Sequence, residues 1–104
     1  MISPWYAMTY VGLERVAWRH GYALALHGSM ARDLDLVAIP WTDDADDPDK
    51  LITAIVRFVV FKSDVKISQP KPMAKPHGRM AFTVPLGSGQ YLDISVMPKK
   101  GGGG

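Results

Sequence analysis

The stretch LHGSMARDLDLVAIPW, residues 26–41, decides how the rest of the chain is read. A Gly-Ser pair breaks an apolar run. Asp33 and Asp35 then alternate with Leu34 and Leu36 before Val37, Ala38, Ile39 and a closing Pro40. Alternation of polar and apolar residues is the pattern of a strand with one covered face. Residues two apart on a strand point the same way, roughly 7 Å apart along the backbone. Asp33 and Asp35 therefore share one face and Leu34 and Leu36 the other. Two readings of the carboxylates follow: a wetted edge strand, or a pair of oxygen ligands for a metal ion.

On the N-terminal side, YALALHG supplies a preceding strand, Tyr22 to Leu26, ahead of the second strand at 33–39. Before it, Ser3-Pro4 suits an N-cap and a first helical position. Trp5, Met8, Leu13, Val16 and His20 keep helical spacing. Gly12 weakens the middle, which places the start of the regular helix near Thr9, and Gly21 ends it as a C′ residue. On the C-terminal side, Asp47-Pro48-Asp49 gives a cap, a proline at the first position and an acid in the first turn. This predicts a helix over 48–62, with Leu51, Ile55, Phe58 and Val59 as its apolar stripe, widened by Ile52, Val56 and Val60.

Asp64 to Ser68 reads as a strand. QPKPMAKPHG, residues 69–78, reads as an irregular loop, because its prolines cannot donate ladder hydrogen bonds. Met80–Leu86 and Tyr91–Met97 alternate like strands and are joined by GSG as a hairpin. In the second, Tyr91, Asp93 and Ser95 face one way and Leu92, Ile94 and Val96 the other. The expected fold class is α+β: a mixed sheet of four to five strands with two main helices packed on one face, forming a single domain over 1–98. Residues 99–104, ending in four glycines, are set aside as a disordered tail or an expression remnant.

Composition bounds the class. The chain has 104 residues and no cysteine, which excludes disulfides and thiolate zinc sites and fits a reducing compartment. No run approaches the roughly 20 apolar residues of a membrane span, and MISPWYAMTY lacks the basic start and apolar block of a signal peptide. The expectation is a soluble, cytoplasmic protein with no membrane partner. Net charge is only +2, but the acids concentrate in DDADDPD, residues 43–49. The segment from Lys62 to Arg79 is basic and points to an anionic partner such as a nucleotide or nucleic acid. A solvated basic face is the plainer alternative.

With their apolar faces on the helices, the two Asp-bearing strands would bring Asp33, Asp35 and Asp93 together on the open face. Clustered carboxylates repel unless a cation lies between them. Hard oxygen ligands suit Mg²⁺ or Mn²⁺, which keep waters and accept phosphate oxygens. Gly28 allows close backbone approach, and the Ser29 hydroxyl can meet a phosphate.

The set Gly28-Ser29, Asp33-Leu34-Asp35 and a distant Asp93 in an apolar strand resembles the DNA polymerase β-like nucleotidyltransferase superfamily. It looks most like its small stand-alone members and short phage or prophage proteins with a similar His-Gly-Ser…Arg-Asp-x-Asp-Leu run. The resemblance covers about residues 9–98 and implies the superfamily's minimal core. It implies that Asp33 and Asp35 bind two metal ions. Asp93 would bind the catalytic ion and help deprotonate the attacking hydroxyl, and Gly28 and Ser29 would hold the triphosphate of an incoming nucleotide. The implied reaction moves a nucleoside monophosphate from a nucleoside triphosphate to a hydroxyl acceptor, which could be a nucleic acid or a protein.

One departure stands out. Only Met30, Ala31 and Arg32 separate Ser29 from Asp33, where the superfamily has a longer stretch, often with a short helical turn. Arg32 can compensate by bidentate contact with a phosphate. The shortening also supports an alternative: a catalytically degenerate relative that binds nucleotide, nucleic acid or a protein partner as a phage or prophage factor. A purely structural small α+β domain is the third reading.

His27, Lys75, His77 and Arg79 are possible substrate contacts, with structural hydrogen bonding and loop display as the plainer roles. Lys71, Lys75 and Arg79 are better candidates as a group than singly. Trp41 could stack on a base, although packing under the adjacent loop is the simpler role. Trp5 and Trp18 are expected in core or helix-face packing.

Overall fold

A computed structural model describes residues 4–27, 33–63, 69–87 and 90–99. Helix α1 spans Pro4–Arg19 and is followed by strands β1 (Tyr22–His27) and β2 (Leu34–Pro40), then helix α2 (Pro48–Ser63). A short strand β3 (Met73–Ala74) and a 3₁₀ turn (Pro76–Gly78) lead to the hairpin strands β4 (Met80–Gly87) and β5 (Gln90–Val96). The five strands form one sheet in the order β1-β2-β5-β4-β3. Among the described strands only the central β2–β5 pair is parallel; the other neighbours are antiparallel. The architecture is the expected α+β one, a mixed sheet with two helices.

The alternation read in the sequence sorts the core. Leu34, Leu36 and Ala38 of β2 are buried, as are Leu92, Ile94 and Val96 of β5 and Phe82 and Val84 of β4. They meet Leu13 and Ala17 of α1 and Leu51, Ile52, Ile55, Val56 and Val59 of α2 in one cluster. Both helices thus cover the same face. Burial at ~25 cal/mol per Å² of apolar surface is what holds the layers together.

Helix α1 begins at Pro4 rather than near Thr9. Gly12 does not delay it, because it has a packing role: a Cβ there would collide with the Phe58 ring of α2. The close approach of the helices offsets the roughly 1 kcal/mol that glycine costs inside a helix. Gly21 adopts φ +91° and ends the helix as expected, since a side chain would be strained there and would press on Ala45.

The 69–78 segment is also more ordered than its prolines suggest. Met73 and Ala74 pair with Ala81 and Met80. The prolines flank the pair, and an edge strand needs donors on one side only. The expected strand at 64–68 lies outside the described residues; the fifth strand described is β3. Lys99, assigned to the tail in the sequence reading, is held in place: its Nζ donates to the Ala45 carbonyl at 2.9 Å. No helix among the described residues is long and apolar enough to cross a membrane.

Candidate functional site

The parallel β2–β5 register sets Asp35 directly beside Asp93. Their sequence neighbours Leu34, Leu36, Leu92 and Ile94 are all buried under the helices. The two carboxylates therefore emerge together on the uncovered face, on adjacent strands about 4.8 Å apart. The row continues outward on both sides. His27 of β1 is the register partner of Asp35, and Thr83 of β4 that of Asp93. Four neighbouring strands thus carry the transverse line His27, Asp35, Asp93, Thr83. The next row on the same face, Ala25, Val37, Ser95 and Ala81, is small and largely apolar.

The carboxylates respond to one another. The Asp35 carboxyl is raised above the ordinary aspartate value, first by its partial burial. The Asp93 charge and a hydrogen bond shared with Asp93 raise it further, then the Asp33 charge, while His27 acts in the opposite direction. Asp33 itself lies half-buried immediately before β2. The Thr83 Oγ1 donates to Asp93 Oδ1 at 2.9 Å, which fixes that carboxylate's orientation. Two carboxylates set side by side repel unless a proton or a cation lies between them. The donor chemistry therefore fits a hard cation such as Mg²⁺ or Mn²⁺. Among the described residues no group of three His, Asp or Glu side chains is already disposed to hold a metal ion. Asp35 and Asp93 are the pair around which such a site would form, with water and phosphate oxygens completing it.

The row opens into a cavity of about 590 Å³. Asp35, Asp93, Thr83 and His27 lie along its floor, and Lys71, Lys75 and Arg79 line it from the β3 hairpin. That hairpin is braced. The Lys75 amide donates to the Arg79 carbonyl at 2.9 Å, Pro76 follows Lys75, and His77 and Gly78 both take positive φ. His77 is exposed on this turn and is not part of the cavity wall.

Of the residues singled out in the sequence, Asp35, Asp93, His27, Lys75 and Arg79 border one space, and Asp33 stands next to it. Gly28, Ser29 and Arg32 lie outside the described residues. Thr83 was missed. Its polar side chain sits in an alternating strand, but its pairing with Asp93 depends on an irregularity between Pro85 and Gly87 that shifts the hairpin register.

Trp18 and Trp41 depart from their expected packing. Both are about half exposed, at 54% and 49%, and they stack on each other with ring centroids 4.5 Å apart. Each covers one face of the other, which answers the apolar demand of two large rings without a core position.

No family model, curated protein or solved structure matches the chain.

Proposed function

We propose that this protein is a metal-dependent nucleotidyltransferase that moves a nucleoside monophosphate from a nucleoside triphosphate to a hydroxyl acceptor. The observation that carries the reading is the side-by-side register of Asp35 and Asp93 at the floor of a cavity lined by Lys71, Lys75 and Arg79. Paired acids next to clustered bases suit a ligand that is both polyanionic and metal-bound, and a nucleoside triphosphate is such a ligand. Asp35 and Asp93, supported by Asp33, would hold Mg²⁺ or Mn²⁺. The bound ion supplies charge neutralisation on the phosphates and a more acidic acceptor hydroxyl.

The chain's own residues have separable tasks. Lys71, Lys75 and Arg79 bind the phosphate oxygens, and Arg79 can do so bidentately. Asp93, oriented by Thr83, accepts the proton of the acceptor hydroxyl as its oxygen attacks the α-phosphorus. The bond from that phosphorus to the bridging oxygen breaks, and pyrophosphate leaves. A second reading, nucleotide binding without turnover, is favoured by the three-residue spacing between Ser29 and Asp33.

The test is incubation of the protein with labelled nucleoside triphosphates, Mg²⁺ or Mn²⁺ and a panel of nucleic-acid and protein acceptors. Asp35→Asn and Asp93→Asn serve as controls, with calorimetric titration of nucleotide alongside. Pyrophosphate release that is lost in both variants supports transfer. Saturable, metal-dependent binding without release selects the binding reading. Neither binding nor release in the presence of metal overturns both.

A further inference from the structure

We infer that β1 is a dimerisation edge. It pairs antiparallel with β1 of a second copy of this chain, while the outer row of α1 packs on the same row of that copy.

Among the described residues the sheet has two edges, and they are built differently. β3 is two residues long and is hemmed by Lys71, Pro72, Lys75 and Pro76, the residues that discourage strand addition. β1 is six residues, YALALH, with no proline, lysine or acid. Its hydrogen-bonding phase follows from its neighbours. The Trp41 amide donates to the Gly21 carbonyl at 2.9 Å, which makes Gly21 and Trp41 a hydrogen-bonded pair. Antiparallel pairs alternate, so Ala23, Ala25 and His27 direct their amides and carbonyls at β2, and Tyr22, Leu24 and Leu26 direct theirs outward. Pro40, which has no amide to give, falls opposite Tyr22 in a pair that needs none.

Among the outward groups the Leu24 carbonyl accepts from the Tyr10 hydroxyl at 2.9 Å. A carbonyl has two lone pairs, so it can also take a strand hydrogen bond. An antiparallel pair centred on Leu24 would set Leu24 against Leu24 and Tyr22 against Leu26.

Helix α1 carries a second, independent pattern. Val11, Glu14, Arg15 and Trp18 follow the i, i+3, i+4, i+7 spacing of one helix face. Val11 and Trp18 are large apolar residues more than half exposed. A two-fold contact pairs residue i with j and j with i. If the axis passes between Glu14 and Arg15, Val11 meets Trp18 and Glu14 meets Arg15, each twice. Apolar then meets apolar, and each charge meets its opposite.

The two centres coincide. From the turn after His20, the Glu14–Arg15 midpoint lies roughly 9 Å back along the helix and Leu24 roughly 12 Å along the strand. The difference is about one residue of strand. Glu14, Arg15 and Trp18 also share a single recess with Ala23 and Leu24, so helix row and strand edge border the same surface. A nucleic-acid strand stacked on Trp18 and Trp41 fits less well, because Asp43 and Asp44 lie just beyond Thr42 on the Trp41 side of that pair.

The test is sedimentation of the full chain from low micromolar to near-millimolar concentration. A reversible monomer–dimer equilibrium is expected. Leu26→Pro removes only an outward amide and leaves the β1–β2 ladder intact; it should weaken the dimer about tenfold or more. Glu14→Arg should also weaken it, and Glu14→Arg combined with Arg15→Glu should restore it, with circular dichroism confirming the fold of each. If Leu26→Pro fails to fold, loss in the single charge variant and recovery in the double one carry the proposal alone. A chain that stays monomeric at every concentration overturns it, including one whose tryptophan fluorescence is quenched by a single-stranded oligonucleotide. So does a dimer equally tight in all variants.

Discussion

The two faces of β2 and β5 are made by the same residues in alternation, yet they answer to different physics. Toward the helices, Leu34, Leu36, Leu92, Ile94 and Val96 are at most 2% exposed. Toward solvent, Asp35, Val37, Asp93 and Ser95 are only partly covered. Stability therefore resides in one face and the candidate chemistry in the other, separated by the thickness of a single sheet. A small domain can thus place mutually repelling carboxylates next to its most buried residues. The pleat sends the carboxylates outward at no cost to core packing.

Substitutions on each face test that division. The largest effect is expected from Ile94→Ala, which should cost about 2–5 kcal/mol through lost burial and a residual cavity. Denaturant titration would show it as a fall in midpoint. An Ile94→Ala protein as stable as the parent would mean the helix-facing side is not the source of stability.

Thr83→Ala removes the hydrogen bond to Asp93. At this exposed position the loss of stability should be about 1 kcal/mol or less. Metal-dependent nucleotide binding should fall more clearly, because Asp93 loses its orientation. Equal losses in stability and binding would blur the separation of the faces.

The smallest effect is on Asp35. Its folded carboxyl is raised above 3.8 by burial and by Asp93, so the folded protein holds this proton more tightly than the unfolded chain. That contribution to stability is complete below the ordinary aspartate range and is lost as pH rises through the raised value. Asp35→Asn should therefore be as stable as the parent at neutral pH, or more stable by a few tenths of a kcal/mol. The gain should vanish in acid. Thermal melts across pH would read it. Adding Mg²⁺ should raise the parent's melting temperature and leave Asp35→Asn unmoved. A clear loss of metal-free stability in Asp35→Asn would show that the carboxylate has a structural role.

Much of the fold was legible because its cues are local. Pro48 after Asp47, Gly21 after the first helix and the strict alternation around Asp35 and Asp93 each act within a few residues. What escaped was non-local. The value of Gly12 lies in a ring more than 40 residues away in the sequence, that of Phe58. Met73 and Ala74 form a strand only because β4 offers them an edge. Trp18 and Trp41 satisfy each other across the turn between α1 and β1, so neither needed the core. In the candidate site, alternation alone puts Asp35 and Asp93 on the face opposite the core, whereas their pairing comes from the β2–β5 register and the places of Lys71 and Thr83 from the folding of the β3–β4–β5 meander.

Alternation along β2 and β5 already assigns each residue its face, since a period of two is a property of the strand backbone and needs no partner. What stands beside what depends on how the strands assemble. A simple hairpin closing Gly87 on Gln90 would continue by pairing Thr83 with Ile94. The irregularity between Pro85 and Gly87 moves the register by one and brings Thr83 to Asp93 instead. A one-residue shift exchanges the faces of a strand: the irregularity puts Phe82 and Val84 on the same side as Leu92 and Ile94, where the whole sheet buries its apolar side against the helices.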